Sequence, residues 1–175
     1  MDVIEAISGR RSIRSFTEDE IDSETLTTIL EAAIRAPSAG NRQPWEFVLV
    51  RSRAGRKALA AAAYGQEFIA QAPVAVVVCA NRTRSAERYG DRGAELYCIQ
   101  DTAAATQNIL LATHSLGLGG CWIGAFDEIQ VARLIGAPRD VRPVAIVALG
   151  KPAETRQPTN RMPLRAVLHN ETFKL

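Results

Sequence analysis

Apolar residues recur at three-four spacing in some stretches of this chain and run without interruption in others. Leu26, Ile29, Leu30, Ala33 and Ile34 mark the buried face of a helix that Ser23 opens and Pro37 stops. Leu96, Ile99, Ala103, Thr106, Leu110 and Thr113 mark a longer helix over residues 94–115. A second apolar set, Cys98, Ala105, Ile109, Ala112 and Leu116, lies on its other side, and its only acids are Glu95 and Asp101. A helix apolar nearly all round is buried nearly all round. In a chain this short, one side of it is expected to meet a partner subunit, with Ala103, Ala104 and Ala105 permitting close approach. Shorter helices are predicted over 2–8, with Asp2 and Glu5 in capping positions, over 51–63, and over 128–135 behind Asp127. The run Pro73 to Ala80 is continuously apolar and β-branched, which predicts a central strand covered on both faces. Further strands are predicted over 46–50, 121–123 and 141–149. Residues 65–71 read as a connection, and the arginine-rich stretch 81–93 as a mobile loop or short helix. Thr17 and Glu20 form a capping pattern ahead of Ser23.

Composition narrows the class. The 175 residues are 47% hydrophobic, enough for one domain with its own core, over 1–175 without repeat or linker. There is no run of eighteen uncharged apolar residues, so no membrane span is expected. The start, Met1-Asp2-Val3-Ile4-Glu5, is acidic where a signal peptide is basic, and Cys79, Cys98 and Cys121 form no Cys-x-x-Cys pair. A cytoplasmic location is the expectation. Two histidines, His114 and His169, offer no metal-ligand spacing, so no metal site is expected. A net charge of +2 does not point to nucleic acid. Only Lys57, Lys151 and Lys174 of the 21 basic residues are lysine. A GC-rich genome would produce the same arginine bias, so the placement of arginines matters more than their number.

Two stretches concentrate polar chemistry. Arg10-Arg11-Ser12-Ile13-Arg14-Ser15-Phe16 follows a helix end. It reads either as a solvated turn or as the arginine-plus-hydroxyl set that holds a phosphate monoester. Extended backbone would put Arg10, Ser12 and Arg14 on one side. Ala36-Pro-Ser-Ala-Gly-Asn-Arg-Gln-Pro-Trp45 joins a helix to a strand. It reads either as a polar turn or as a rigid shelf for a flat heterocycle, its backbone restrained by Pro37 and Pro44. Gly117-Leu-Gly-Gly120 follows a helix and opens a strand, the reverse of a dinucleotide fingerprint, so Gly117 is read as a helix C-cap. Small residues at Gly124 and Ala125 would let backbone amides approach a ligand. Cys121 has no adjacent base and reads as core.

Together these segments resemble the FMN-dependent nitroreductase family in its short form. The resemblance is carried by Arg10 to Phe16, Ala36 to Trp45, Asp101-Thr-Ala-Ala-Ala105, Gly117-Leu-Gly-Gly-Cys-Trp-Ile-Gly124 and Arg161-Met-Pro-Leu164, in the family's order. It implies an α+β nitroreductase-like fold: a mixed central sheet flanked by helices, with the long central helix at a homodimer interface. The segment from about 151 to 175 would reach over the partner subunit. Two FMN sites would lie at that interface, each built by both chains. Arg10, Ser12 and Arg161, joined by Arg11, are then implied at the phosphate and ribityl chain, and Arg14 at the flavin N1 and O2 edge. Pro37, Ser38, Ala39, Asn41 and Gln43 of the other subunit would meet the ring. Gly124 and Ala125, with Ile123 before them, would line the N5 and O4 edge.

The implied activity is transfer of reducing equivalents from NAD(P)H to a nitroaromatic or quinone acceptor. FMN carries the hydride chemistry, so no protein nucleophile or metal is required. Other readings stay open: another flavin chemistry on the same fold, such as reductive dehalogenation, enoyl reduction or flavin breakdown; a flavin-binding module without turnover; or a dimer that binds no flavin.

Overall fold

The computed structural model describes residues 1–173; the last two residues of the C-terminal segment considered above lie outside the described part. Among the described residues, seven α-helices and four strands follow in the order α1 (Val3–Gly9), α2 (Ser23–Ala33), β1 (Trp45–Val50), α3 (Arg53–Ala62), α4 (Phe68–Gln71), β2 (Val74–Asn81), α5 (Arg82–Arg92), α6 (Cys98–Ser115), β3 (Gly119–Ile123), α7 (Glu128–Ile135) and β4 (Val141–Gly150). The strand order is β1-β2-β4-β3, and all three pairings are antiparallel. The parallel component is a single bridge, Ser12 to Gly120, which ties the N-terminal segment to the β3 edge.

Strand alternation sorts the core into two layers. Ala75, Val77 and Cys79 of β2 join Ile146 and Ala148 of β4 on one face, packed by Leu59, Ile69 and Val131 from α3, α4 and α7. Val74, Val76 and Val78 face the other way with Val147 and Leu149, against Leu26 and Ile29 of α2 and Ile109 and Leu110 of α6. Every β2 side chain from Val74 to Ala80 is buried. The strand has neighbours on both edges and helices on both faces, as its unbroken apolar run requires. The β2–β4 register shifts at Val78/Cys79, opposite Pro143, where the proline has no N–H to give to a ladder.

Local chemistry explains most boundaries. Asp2 caps α1 in a complete capping box with Glu5. Asp127 caps α7 by accepting from the Gln130 amide. Gly117 takes φ 76° after α6, the left-handed conformation of a C-cap. Ser23 opens α2 as expected, behind Asp22, whose carboxylate caps the helix by accepting from the Thr25 amide. Other boundaries differ from expectation. Thr17 opens no helix; its hydroxyl bonds Asp19. Within 65–71 the chain forms the short α4. Of the two readings for 81–93 the helical one holds: Arg82–Arg92 form an eleven-residue helix, capped by Asn81 and kinked at Gly90 (φ 54°, ψ −141°). One π turn over Gly93–Tyr97 then precedes α6, so the long helix begins at Cys98.

Candidate functional site

The arginine–serine segment crosses the C-terminal end of α6. A Cβ on Gly9 would lie 2.8 Å from His114 Nε2, and the Ile13 amide donates to the Gly120 carbonyl at 3.1 Å. Arg10 is half-buried beside Arg11 and Arg161, and burial with those two like charges lowers its pKa. Cys121 is buried beneath Ser12, Arg10, Arg14 and Arg156; burial pushes its thiol up, and those groups oppose the shift. Its place in the core agrees with the sequence reading. Ion pairs elsewhere join Arg42 to Glu87, Arg84 to Glu46 and Arg142 to Glu128. Among the described residues, Arg10, Arg11, Arg14 and Arg161 have no carboxylate partner. Glu154 lies at this end of the helix, but its carboxylate is taken by Arg156 and by the Arg14 amide; cations left without a counter-charge beside a half-buried guanidinium favour an anion such as a phosphate monoester. The Arg11 guanidinium is partly committed, donating to the Ser8 carbonyl at 2.7 Å and the Arg10 carbonyl at 2.9 Å. Arg161 donates to the Thr159 hydroxyl at 2.5 Å within its own loop. Arg14 is exposed, its amide held by Glu154 Oε1 at 2.6 Å.

The shelf lies at the other end of α6. Both Asp101 carboxylate oxygens accept from the Ala39 amide at 3.2 Å, and Asp101 is 8% exposed. Burial raises its pKa, and the Ala39 hydrogen bond opposes that rise. The Ser38 hydroxyl accepts from the Gln43 amide at 3.0 Å, and the Gln43 side chain donates to Asn41 Oδ1 at 3.1 Å. Gly40, Asn41 and Gln43 all have positive φ, at 53°, 55° and 50°. Two of these are not glycine, so strain is held in place by the surrounding anchors. Arg42 binds the Arg84 carbonyl and Glu87, while Arg84 donates to the Gln43 carbonyl at 2.8 Å and pairs with Glu46. Asn41 and Gln43 stay exposed. Asp101, Arg84 and Glu87 therefore build the shelf. An acid in an otherwise nearly uncharged helix was the one sequence sign of this; the roles of Arg84 and Glu87 had none.

The third group lies past the end of β3. The Ile123 side chain is buried in the core, whereas Gly124 and Ala125 are exposed. The Ala125 carbonyl accepts from Gln66 at 3.0 Å, but the Gly124 and Ala125 amides have no acceptor among the described residues. A Cβ on Gly124 would have only Trp122 Nε1, at 3.9 Å, nearby. Two exposed amides without an acceptor suit carbonyl or ring-nitrogen acceptors of a ligand.

One chain does not bring all predicted residues together. From Asp101 to His114 the helix rises about 20 Å at about 1.5 Å per residue. The shelf and the arginine segment thus stand apart, at opposite ends of α6. Two clefts of about 710 Å³ lie elsewhere, one between α3 and the segment 16–21, the other beside α7, and neither includes a predicted site residue. Among the described residues, no three His, Cys, Asp or Glu converge on a point, and no helix is long and apolar enough to cross a membrane.

The model of the nitroreductase family matches residues 7–66 and 61–151 of this sequence. The chain belongs to the nitroreductase family. An NADH dehydrogenase of Thermus thermophilus is 34% identical over 195 residues, covering 96% of this chain and 95% of that protein. The oxygen-insensitive NADPH nitroreductase of Salmonella typhimurium is 33% identical over 178 residues, covering 98% of this chain and 74% of that protein. Among solved structures, the NADPH:FMN oxidoreductase from Vibrio harveyi, complexed with NAD+, superposes with a TM-score of 0.90 at 31% identity. That match covers 98% of this nitroreductase-family chain and 77% of the Vibrio chain.

Proposed function

We propose that this nitroreductase-family protein is an FMN-dependent oxidoreductase that draws on NADH or NADPH and reduces an electrophile of nitroaromatic or quinone type. The observation that carries the reading is the cluster of arginines whose guanidinium groups have no carboxylate partner among the described residues at one end of α6, set against the strained polar shelf at the other. FMN has matching ends, a phosphate dianion and a planar ring with amide-like edges. Because the half-sites are separated along α6, a second copy of the chain supplies the shelf to the first copy's arginines.

Bound FMN supplies hydride acceptance and donation at its ring. The protein's share is binding, orientation and charge. Arg10 and Ser12, with Arg161 and Arg11, hold the phosphate and ribityl chain. Arg14 places a positive charge at the N1 and O2 edge, where it favours the reduced, anionic ring and raises the reduction potential. The Gly124 and Ala125 amides donate at the N5 and O4 edge. Pro37, Ser38, Ala39, Asn41 and Gln43 of the second copy restrain the ring's rim and exclude water from one side.

Exposed apolar surface supports the homodimer. Val3, Ile4 and Ile7 of α1 are 63%, 68% and 53% exposed, and Met162, Leu164, Val167, Leu168 and Phe173 of the C-terminal segment are exposed as well. Such surface on a chain of this size marks an interaction site. Ala103, Ala104 and Leu111 leave part of α6 half-covered, whereas Ala105, expected beside them, is fully buried in this chain's own core and faces no partner.

The test is a visible spectrum of the purified protein, then anaerobic addition of NADPH, then menadione or nitrofurazone. A flavin spectrum that bleaches with NADPH and recovers with acceptor is expected. A yellow protein that never bleaches would leave binding without this activity. A colourless protein that takes up no added FMN would refute the assignment. Light scattering should give the mass of two chains.

A further inference from the structure

The segment between β2 and α6 carries Arg82, Arg84, Arg88 and Arg92, and the proposed cofactor site does not use these side chains as ligands. Three of them are committed. Arg82 pairs with Glu95, Arg84 pairs with Glu46, and Arg92 donates to the Tyr97 hydroxyl at 3.0 Å while its guanidinium lies 5.3 Å from that ring's centre. Arg88 is exposed and, among the described residues, has neither a hydrogen bond nor a carboxylate partner. The nearest acid in sequence, Glu87, is taken by Arg42. Asp91, one helical turn further on, makes no ion pair with it.

Arg88 nevertheless has a defined place. A Cβ on Gly40 would lie 3.0 Å from Arg88 Nη1, 3.1 Å from Arg88 Cδ and 2.5 Å from the Tyr89 hydroxyl oxygen. Both side chains thus close on the bare backbone in the middle of the shelf, where any larger residue would push them off. Tyr89 is held edge-on to Tyr97, ring centres 5.2 Å apart, and the Arg88 guanidinium lies 5.5 Å from the Tyr89 ring centre. The backbone fixes the approach. The helix kinks at Gly90, and Gly93 is packed so tightly that a Cβ there would sit 2.4 Å from the Ser85 carbonyl oxygen. An exposed, uncompensated guanidinium is thereby aimed over the shelf.

We infer that Arg88, backed by Tyr89, is the specificity residue that selects reactants carrying a phosphate or carboxylate. This rests on the flavin reading above and deepens it: the shelf meets the cofactor, and the α5 wall meets the molecule that comes to it. A fork of N–H donors grips either anion through two parallel bonds, and Tyr89 adds a phenolic hydroxyl.

The experiment compares wild type, Arg88→Ala and Arg88→Lys, each loaded with FMN and checked for full occupancy by its visible spectrum. Acceptors are paired as 4-nitrobenzoate and 4-nitrobenzyl alcohol, donors as NADPH and NADH. Unreactive NADP+ and benzoate are titrated by calorimetry as an activity-free readout. Arg88→Ala should lower at least one anion preference about tenfold, mainly through KM, and weaken binding of the matching unreactive anion by a similar factor. Arg88→Lys should keep part of it, since a point charge remains but the fork is lost. A fall in the 4-nitrobenzoate ratio identifies a carboxylate on the acceptor. A fall in the NADPH to NADH ratio identifies the donor's extra phosphate, and a fall for both nucleotides against a fixed neutral acceptor identifies the shared diphosphate. Full flavin occupancy with every ratio and both titrations within twofold of wild type overturns the inference alone. Failure to take up FMN overturns the flavin reading and this inference with it.

Discussion

Asp101 offers the sharpest test of how the shelf is held. Its carboxylate is 8% exposed and accepts the Ala39 amide through both oxygens at 3.2 Å. Asp101→Ala removes the acceptor and strands a half-buried N–H, which costs about 1–3 kcal/mol. It also removes a desolvated charge, which returns part of that cost. The net loss should be about 1–2 kcal/mol, or about 2–8 °C in Tm for a chain of this length, at fixed protomer concentration. Asp101→Asn keeps an acceptor and discards the charge, so it should match or exceed wild type at pH 7. The sign follows from burial raising the carboxyl above its usual 3.8 in the folded state. The native protein then binds the proton more tightly than the unfolded chain. That contribution is fully present below the unfolded value and is lost as pH rises through the folded one. The advantage of Asp101→Asn should therefore be seen at neutral pH and fade below about pH 4. Thermal melts at pH 4 and 7, with FMN titrations at pH 7, read both effects. An Asp101→Ala variant with unchanged Tm and unchanged FMN affinity would refute the anchoring role. So would an Asp101→Asn variant as damaged as Asp101→Ala.

Three further outcomes are expected. Arg14→Ala should make the FMN potential more negative and slow flavin reduction; full flavin occupancy with potential and rate unchanged would remove Arg14 from the N1 and O2 edge. Gly150→Ala should cost about 1–3 kcal/mol in urea denaturation. Its Cβ would lie 2.7 Å from Pro73 Cδ and 2.8 Å from Phe16 Cδ1, and the proline ring cannot yield. His114 is held below the ordinary imidazole value by burial and then by Arg10 and Arg11. A phosphate bound by those arginines offsets their charge, so NMR titration should show the His114 pKa rising on FMN addition, and an unmoved value would place the phosphate elsewhere.

Some of this architecture follows from local rules alone. The run from Val74 to Ala80 is apolar at every position, and only a strand between two others, covered on both faces, can bury it so completely. Asp2 with Glu5, Asp127 and Gly117 announce helix ends because their chemistry acts within four residues. The arginine–serine segment was legible because three guanidinium groups and two hydroxyls fall within six residues, more than a turn needs. What lies between α3 and α6 was not legible. α4 is four residues long and shows no period. α5 is so polar that its helical character rests on the Asn81 cap and on Arg42, Glu46 and Glu95 arriving from other elements to pair with its charges. The π turn at Gly93–Tyr97 has no signature in its own residues; it follows the kink at Gly90, where the Ser85 carbonyl packs against Gly93.

The sequence by itself determined which residues would be buried, which would cap, and which polar groups lacked partners in their own stretch, because each depends on neighbours a few positions away. The tertiary structure alone decided that the arginine segment and the shelf stand at opposite ends of α6, that Asp101 holds one of them, and that Arg88 alone of the α5 arginines is left free above Gly40. Those facts depend on distances between residues far apart in the chain, and such distances are set by packing around the sheet rather than by spacing along the backbone.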